Sequence, residues 1–228
     1  MQRAEMSIEY PVSIMDKVIV VVGDSDLTSP YFRPFETFAA HGDCRLLFCN
    51  PEQVLLAVFT GGEDVDPSMY GEERNSKTCS NIARDLEEAR CFNRVASHKI
   101  PMVGICRGSQ FLCAMNGGKL VQHALGHGVD HAIWTPQGVV TVSSTHHQIA
   151  MPPRDAKIVA WAEPKLSCHY EGAAGVELFP ECECEGVFYP ETRSLGMQWH
   201  PEWMAAESDG YQFTQSLIHE LLTDGRFH

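Results

Sequence analysis

Cys106 has the setting that points most directly to chemistry. The run Val103-Gly104-Ile105-Cys106-Arg107-Gly108 carries an apolar stretch into Gly-x-Cys-x-Gly and then into a helical pattern. This is the thiol form of the strand–turn–helix elbow of Gly-x-Ser-x-Gly hydrolases. So tight a turn has no room for flanking side chains. Glycine at 104 and 108 lets strand and helix approach, and the thiol is held above the carboxyl edge of a sheet. A helix N-terminus behind Cys106 favours a thiolate. A thiol nucleophile needs a base, and the base needs an orienting acceptor. Gly196-Met197-Gln198-Trp199-His200-Pro201-Glu202 supplies both. His200 and Glu202 are two apart in an extended segment, so they share a side, and Pro201 stiffens the link. The order Cys, His, Glu differs from the elbow-type serine hydrolases, where the acid precedes the histidine. The third piece is Phe59-Thr60-Gly61-Gly62 at the end of an apolar run. Its backbone N–H groups can face a developing oxyanion, with the N–H of Arg107 as second donor. Each motif alone has a structural explanation: a packed thiol, a strand-ending turn, a glycine turn. Their combination carries the chemical reading.

The elements that must hold these residues are legible as pattern. Residues 17–23, 54–59 and 101–105 read as short buried strands rich in β-branched residues, and 44–48 as a further strand. Residues 34–41 are weakly helical. Residues 81–99 read as a helix, with Ile82, Leu86, Ala89, Phe92 and Ala96 near helical spacing. Residues 107–116 read as a second helix, closed by Gly117-Gly118. Such alternation predicts an open parallel sheet wrapped by helices. The second half is richer in strands, at 139–142, 158–161, 176–179, 186–189 and 195–199, before a last helix at 209–222. No linker or repeat divides the chain, so one domain is expected over residues 1–228.

The chain has 228 residues, and its 17 Lys and Arg against 30 Asp and Glu give a formal net charge of −13. That surface repels phosphate backbones, so no nucleic-acid partner is expected. No apolar run reaches the ~20 residues of a membrane helix. Residues 1–16 carry Glu5, Glu9 and Asp16 and lack the pattern of a signal peptide. The nine cysteines are odd in number and irregularly spaced. They read as reduced thiols of a cytoplasmic protein.

Taken together, the motif set resembles the class I glutamine amidotransferase family, and within it the γ-glutamyl hydrolase branch that includes the γ-glutamyl-γ-aminobutyrate hydrolases. The features nearest to that branch are Thr60-Gly61-Gly62-Glu63-Asp64-Val65-Asp66-Pro67 leading to Tyr70-Gly71-Glu72, and Arg84-Asp85 followed by Glu88. Arg107 after the nucleophile, Gly117-Gly118-Lys119-Leu120-Val121-Gln122 and Ser144-Thr145-His146-His147-Gln148 complete it. The resemblance implies a three-layer α/β fold of flavodoxin-like type, with a mostly parallel central sheet and extra antiparallel strands. It implies hydrolysis of the γ-glutamyl amide of glutamine or a γ-glutamyl amine through a γ-glutamyl thioester. Cys106, His200 and Glu202 would be catalytic, and Gly62 and Arg107 would form the oxyanion hole. Gly61, Gln110, Ser144, Thr145 and His146 would bind substrate. No cofactor and no metal are expected. The expected partner is the small γ-glutamyl substrate; a homodimer is compatible with the family. Two alternatives stand beside this reading: a glutaminase subunit delivering ammonia to a separate synthetase, and a non-catalytic scaffold that keeps the fold.

Three features depart from the family pattern. The segment between Asp24 and Phe59 is short for the hydrolase branch. Ser-Thr precedes His146-His147 where those relatives often show Asn-Ser-x-His-His. Residues 161–185, with Cys168, Cys182 and Cys184, match nothing familiar. Other constellations have plainer readings. His123, His127 and His131 are spaced by four, but Gly126 and Gly128 break a helix there, which predicts a loop of solvated histidines. Glu181-Cys182-Glu183-Cys184-Glu185 reads as an acidic hairpin tip. Arg84 and Glu88 read as a surface i,i+4 ion pair. Asp64 and Asp66 belong to the loop beside the glycines. Trp199 and Trp203 suit either a pocket wall or core packing.

Overall fold

The computed structural model describes residues 17–24, 26, 28–223 and 227, so the expectation for residues 1–16 lies outside the described residues. In chain order the first elements are strands β1 (Val18–Val22) and β2 (Ala40–Gly42), helix α1 (Leu46–Cys49), β3 (Val54–Phe59) and α2 (Ile82–Ser97). The elbow lies between β4 (Met102–Ile105) and α3 (Arg107–Met115). Then come β5 (Lys119–Val121), β6 (His123–Ala124), β7 (His131–Thr135), β8 (Gly138–Val142), β9 (Ile149–Met151), β10 (Lys157–Ala162) and β11 (Tyr170–Glu171). The chain closes with β12 (Glu183–Tyr189), β13 (Ser194–Met197) and α4 (Asp209–Thr223).

The large sheet runs in the order β2-β1-β3-β4-β13-β12-β10-β7-β8, with β5 joined through β9 to β12. From β2 to β13 every pairing is parallel, and from β13 outward every pairing is antiparallel. Alternation along β1 divides the core. Ile19 and Val21 face a layer with Phe32, Phe35, Tyr211 and Leu217, whereas Val20 and Val22 face Leu47, Phe92, Val95 and Phe111. Helices therefore cover both faces, as a buried parallel sheet requires. The carboxyl ends of β3, β4 and β13 open onto one edge, where doubly wound sheets place their sites. Among the described residues no helix is long and apolar enough to cross a membrane. All nine cysteines are unpaired.

Four expectations are corrected. Residues 44–48 are not a strand. The Asp43 carboxylate accepts the Arg45 backbone N–H at 2.8 Å and turns the chain into α1. The place beside β1 is taken by β2, where Gly42 comes so close that a Cβ would stand 2.3 Å from Val18 Cγ2. Residues 34–41, expected as helical, hold the end of a 3₁₀ turn over Pro30–Phe35 and then β2. Residues 176–179 form no strand; Glu177 makes one bridge to Glu171, and Val176 and Phe179 are exposed. The acidic run is not a hairpin tip: β12 starts at Glu183, and both Glu183 and Glu185 are buried.

Helix α2 forms where expected, capped by the Asn81 side chain, but a different face is turned inward. Ile82 and Leu86 are exposed, while Asp85 and Glu88 are buried with Cys91, Phe92 and Val95. The reason lies across the interface. The buried guanidinium of Arg107 donates to Asp85 and Glu88. The expected surface pair is therefore part of a buried ion network.

Candidate functional site

Cys106 is the N-cap of α3 and adopts φ 52° and ψ −108°. A non-glycine residue in this region is strained, and such strain concentrates at functional sites. The surroundings hold it there. Its N–H donates to the Met197 carbonyl of β13 at 2.8 Å, and its carbonyl accepts the N–H groups of Ser109 and Gln110. The flanking glycines are required by space. A Cβ at 104 would stand 2.4 Å from the Gly108 backbone, and one at 108 would stand 2.1 Å from the Phe59 carbonyl oxygen. Burial pushes the Cys106 thiol up to about 12, opposed by a hydrogen bond from the Arg107 N–H. That shift favours the neutral thiol.

His200 follows β13, and its backbone N–H donates to Ser143 O at 2.9 Å. Its Nδ1 lies 2.7 Å from Glu202 Oε1. That contact assigns the proton to Nδ1 and leaves Nε2 as the basic nitrogen, 3.4 Å from Thr145 Oγ1. The Trp203 indole stacks on the imidazole at 3.7 Å between centroids and 7° between planes. Arg33 donates to the Glu202 carbonyl at 2.9 Å, which fixes the turn carrying the carboxylate. Trp199 is fully buried in the core, so the two tryptophans divide the roles left open between them.

The Thr60-Gly61-Gly62 loop is held by Arg84. Its guanidinium donates to Thr60 Oγ1 and Gly61 O at 3.0 Å, to Glu63 at 2.9 Å and to Glu88 at 2.8 Å. Gly62 sits at φ +142°, and a Cβ there would stand 2.3 Å from Arg84 Nη1. The Gly62 N–H donates to no backbone carbonyl among the described residues, and the Arg107 N–H is directed at the Cys106 sulfur.

Cys106 and His200 line one cavity of about 440 Å³, together with Tyr31, Gly62, Gln110, Thr145, His146 and Trp203. Glu63, Asp64, Cys79 and His147 complete its wall. Of the residues expected to bind substrate, Gln110, Thr145 and His146 reach it. Gly61 lies just behind the wall, where a Cβ would stand 2.6 Å from the Tyr31 hydroxyl and 3.2 Å from His200 Cε1. The Ser144 hydroxyl turns away and donates to the His127 carbonyl at 2.7 Å.

Sequence reasoning missed Tyr31 and the pair of Asp64 with His147. Burial and the neighbouring Glu202 and Cys106 raise the Tyr31 pKa, so its hydroxyl keeps its proton as a donor. Asp64 Oδ1 lies 3.0 Å from His147 Nε2 and raises the pKa of that imidazole. The expected loop of solvated histidines is also corrected. His127 is fully buried, and His131 is buried at the start of β7. Both turn toward His146 and Glu185 behind the cavity wall.

The chain is similar to several known proteins. A Schizosaccharomyces pombe protein named as a candidate glutamine amidotransferase is 26% identical over 205 residues, covering 81% of this chain and 78% of that protein. The γ-glutamyl-γ-aminobutyrate hydrolase of Escherichia coli is 27% identical over 184 residues, covering 72% of this chain and 69% of the hydrolase. The crystal structure of a glutamine amidotransferase from Thermotoga maritima superposes with a TM-score of 0.55 at 18% identity, covering 93% of this chain and 87% of that one. It shows the shared fold. The peptidase C26 family profile matches residues 52–165, which contain the glycine loop and the elbow. That match spans half of the chain, and the chain belongs to the peptidase C26 family, of the class I glutamine amidotransferase type.

Proposed function

We propose that this chain, acting as a single domain, is a cysteine hydrolase that cleaves the amide bond of glutamine or a γ-glutamyl amine. The observation that carries the reading is the placement of the His200 imidazole. It is oriented by Glu202 at 2.7 Å and lines the same cavity as a thiol held at positive φ. His200 Nε2 takes the Cys106 proton as sulfur attacks the δ-carbonyl carbon of the glutamyl group. The negative oxygen that forms is met by the N–H groups of Gly62 and Arg107. As the C–N bond breaks, the imidazolium returns its proton to the leaving nitrogen, which departs as ammonia or an amine. His200 then deprotonates a water that attacks the γ-glutamyl thioester. Glutamate leaves, and the thiol recovers its proton. Glu202 keeps the imidazole in the required tautomer throughout. Gln110 and the backbone of residues 144–146 hold the glutamyl part.

A neutral resting thiol fits this scheme, because the charge forms only when a carbonyl is present to receive the sulfur. The name of the Escherichia coli relative supports an amine, rather than ammonia alone, as leaving group. The test is covalent labelling with 6-diazo-5-oxo-L-norleucine, peptide mapping, and turnover of glutamine beside a panel of γ-glutamyl amines. A single adduct on Cys106, and loss of turnover in a folded Cys106→Ala protein, is the expected result. Wild-type turnover by Cys106→Ala refutes the mechanism.

A further inference from the structure

Behind the wall of the cavity, three imidazoles and one carboxylate converge with fewer hydrogen bonds than such burial demands. His127, His131, His146 and Glu185 are all buried, and one ligand atom from each lies within 4.8 Å of all the others. Glu185 Oε1 is 3.0 Å from His127 Nδ1, 3.2 Å from His131 Nε2 and 3.5 Å from His146 Nε2. Yet both ring nitrogens of His127, Nε2 of His146 and Oε2 of Glu185 have no hydrogen-bond partner of acceptable geometry. Buried polar atoms are almost always satisfied, so four orphans on three neighbouring side chains call for a cause.

The outward nitrogens show what the inward ones are for. His131 Nδ1 is 3.0 Å from Val129 O, and His146 Nδ1 is 2.9 Å from Gln148 O. A carbonyl can only accept, so each Nδ1 carries a proton and each Nε2 faces inward; His131 Nε2 is hydrogen-bonded to Glu185 Oε1 at 3.2 Å, and a bound ion would displace the proton of that bond. His127 is turned the other way. Its Nε2 lies 3.4 Å from Glu183 Oε1, leaving Nδ1 for the cluster. Carbonyl and carboxylate partners of this kind fix the tautomer of histidines that bind metal. The spacing also fits. Four ligands about 2.0–2.2 Å from a tetrahedral ion are separated by roughly 3.3–3.6 Å, and the three separations to Glu185, 3.0, 3.2 and 3.5 Å, lie within or a few tenths of an ångström below that range.

We propose that His127 Nδ1, His131 Nε2, His146 Nε2 and Glu185 Oε1 form a structural site for one divalent first-row transition ion, zinc by preference. Three nitrogens and one oxygen in a closed tetrahedral set suit zinc, and no position is left for a reacting water. This proposal departs from the expectation of no metal. The site joins the loop before β7, β7 itself, β12 and residues 144–146. The last segment carries Thr145 beside His200, while the adjoining Ser143 carbonyl holds the His200 backbone. The ion would therefore tie the antiparallel half of the sheet to the base. This inference does not rest on the proposed reaction, because its test reads metal and not turnover.

The test is metal analysis of the purified wild-type chain, followed by chelation, reloading with Zn²⁺ or Co²⁺ and removal of excess. About one equivalent per chain is expected, with the intense visible d–d bands of tetrahedral Co²⁺ and a raised thermal midpoint on reloading. A His131→Ala/Glu185→Ala variant should lose that equivalent. His123→Ala should keep it, although His123 Nδ1 lies 3.2 Å from His147 Nδ1 in a second, more exposed pair. If wild type holds less than roughly a tenth of an equivalent before and after reloading, the four groups are a proton-sharing network and the proposal is wrong. Retention of the full equivalent by the folded double variant refutes it equally. Should that variant not fold, the wild-type stoichiometry and Co²⁺ spectrum decide alone.

Discussion

Glu88→Gln tests whether the ion network under the elbow is structural or decorative. The substitution keeps size and removes one charge. Glu88 and Arg107 side chains are 3% and 1% exposed, Asp85 is 0%, and Arg84 is 18%. Two guanidiniums thus meet two buried carboxylates, with the half-open Glu63 as a third. Losing one partner of a buried pair typically costs about 3–5 kcal/mol, because the other charge stays buried. Asp85 still faces Arg107 and Glu63 still faces Arg84, which places the expectation at the low end, about 3 kcal/mol. For a chain of this size each kcal/mol moves the thermal midpoint by about 2–4 °C. The midpoint should therefore fall by about 6–12 °C, followed by circular dichroism at fixed scan rate, with little dependence on salt. A solvated i,i+4 pair would cost at most about 1 kcal/mol and weaken with salt. A fall under about 4 °C, or one that disappears at high ionic strength, refutes the buried-network account. Leu86→Ala, on the exposed face of the same helix, should leave the midpoint nearly unchanged.

Three further outcomes follow from the site. Glu202→Gln should lower kcat on the order of 10²–10⁴-fold while the thermal midpoint changes little by comparison, since the imidazole loses its tautomer control; unchanged kcat in steady-state assays would remove Glu202 from the mechanism. Gly108→Ala should cost about 1–3 kcal/mol or more in denaturant unfolding, because its Cβ meets the Phe59 carbonyl, which is backbone and cannot rotate away; a neutral result would mean the elbow is looser than its geometry. Burial holds the Cys106 thiol up to about 12, so the thiolate fraction grows with pH throughout the neutral range. Alkylation by iodoacetamide should accelerate nearly tenfold per pH unit between about pH 7 and 9, and a plateau already at pH 7 would show a thiolate–imidazolium pair instead.

Reading from sequence succeeded where a local constraint leaves a mark in adjacent residues. The elbow needs glycine at 104 and 108 because backbone passes within van der Waals reach, and both glycines are visible as text. The parallel strands are short apolar runs because both faces of the sheet are covered. Failures came where a residue type means something different once the partner is known. Asp85 and Glu88 look like the polar side of α2 until Arg107, from the next helix, arrives as their buried counter-charge. Glu183 and Glu185 look like a solvated tip until the strand is seen to be buried on both sides. His127 and His131 have a metal-like spacing, but Gly126 and Gly128 deny them a shared helix. The structure uses a loop and a strand instead, and draws the remaining groups from residues 146 and 185, a span no local pattern can connect.

The two halves of the sheet contribute different things to the cavity, and the join between them falls at β13. The parallel half brings the thiol and the N–H groups of Gly62 and Arg107 to the ends of β3 and β4, where chain direction alone places them together. It does not bring a base. His200 follows the carboxyl end of β13, which is parallel to β4 on one side and antiparallel to β12 on the other. Its position depends on both neighbours: Cys106 donates to Met197 from the parallel side, and Ser143 accepts from His200 on the antiparallel side. In the proposed mechanism, a thiol whose pKa burial raises needs the base standing ready when substrate arrives. The antiparallel half therefore has to be rigid where it meets His200. Residues 143–146, which make that contact, are the same residues through which the buried His146 and Glu185 cluster would be anchored.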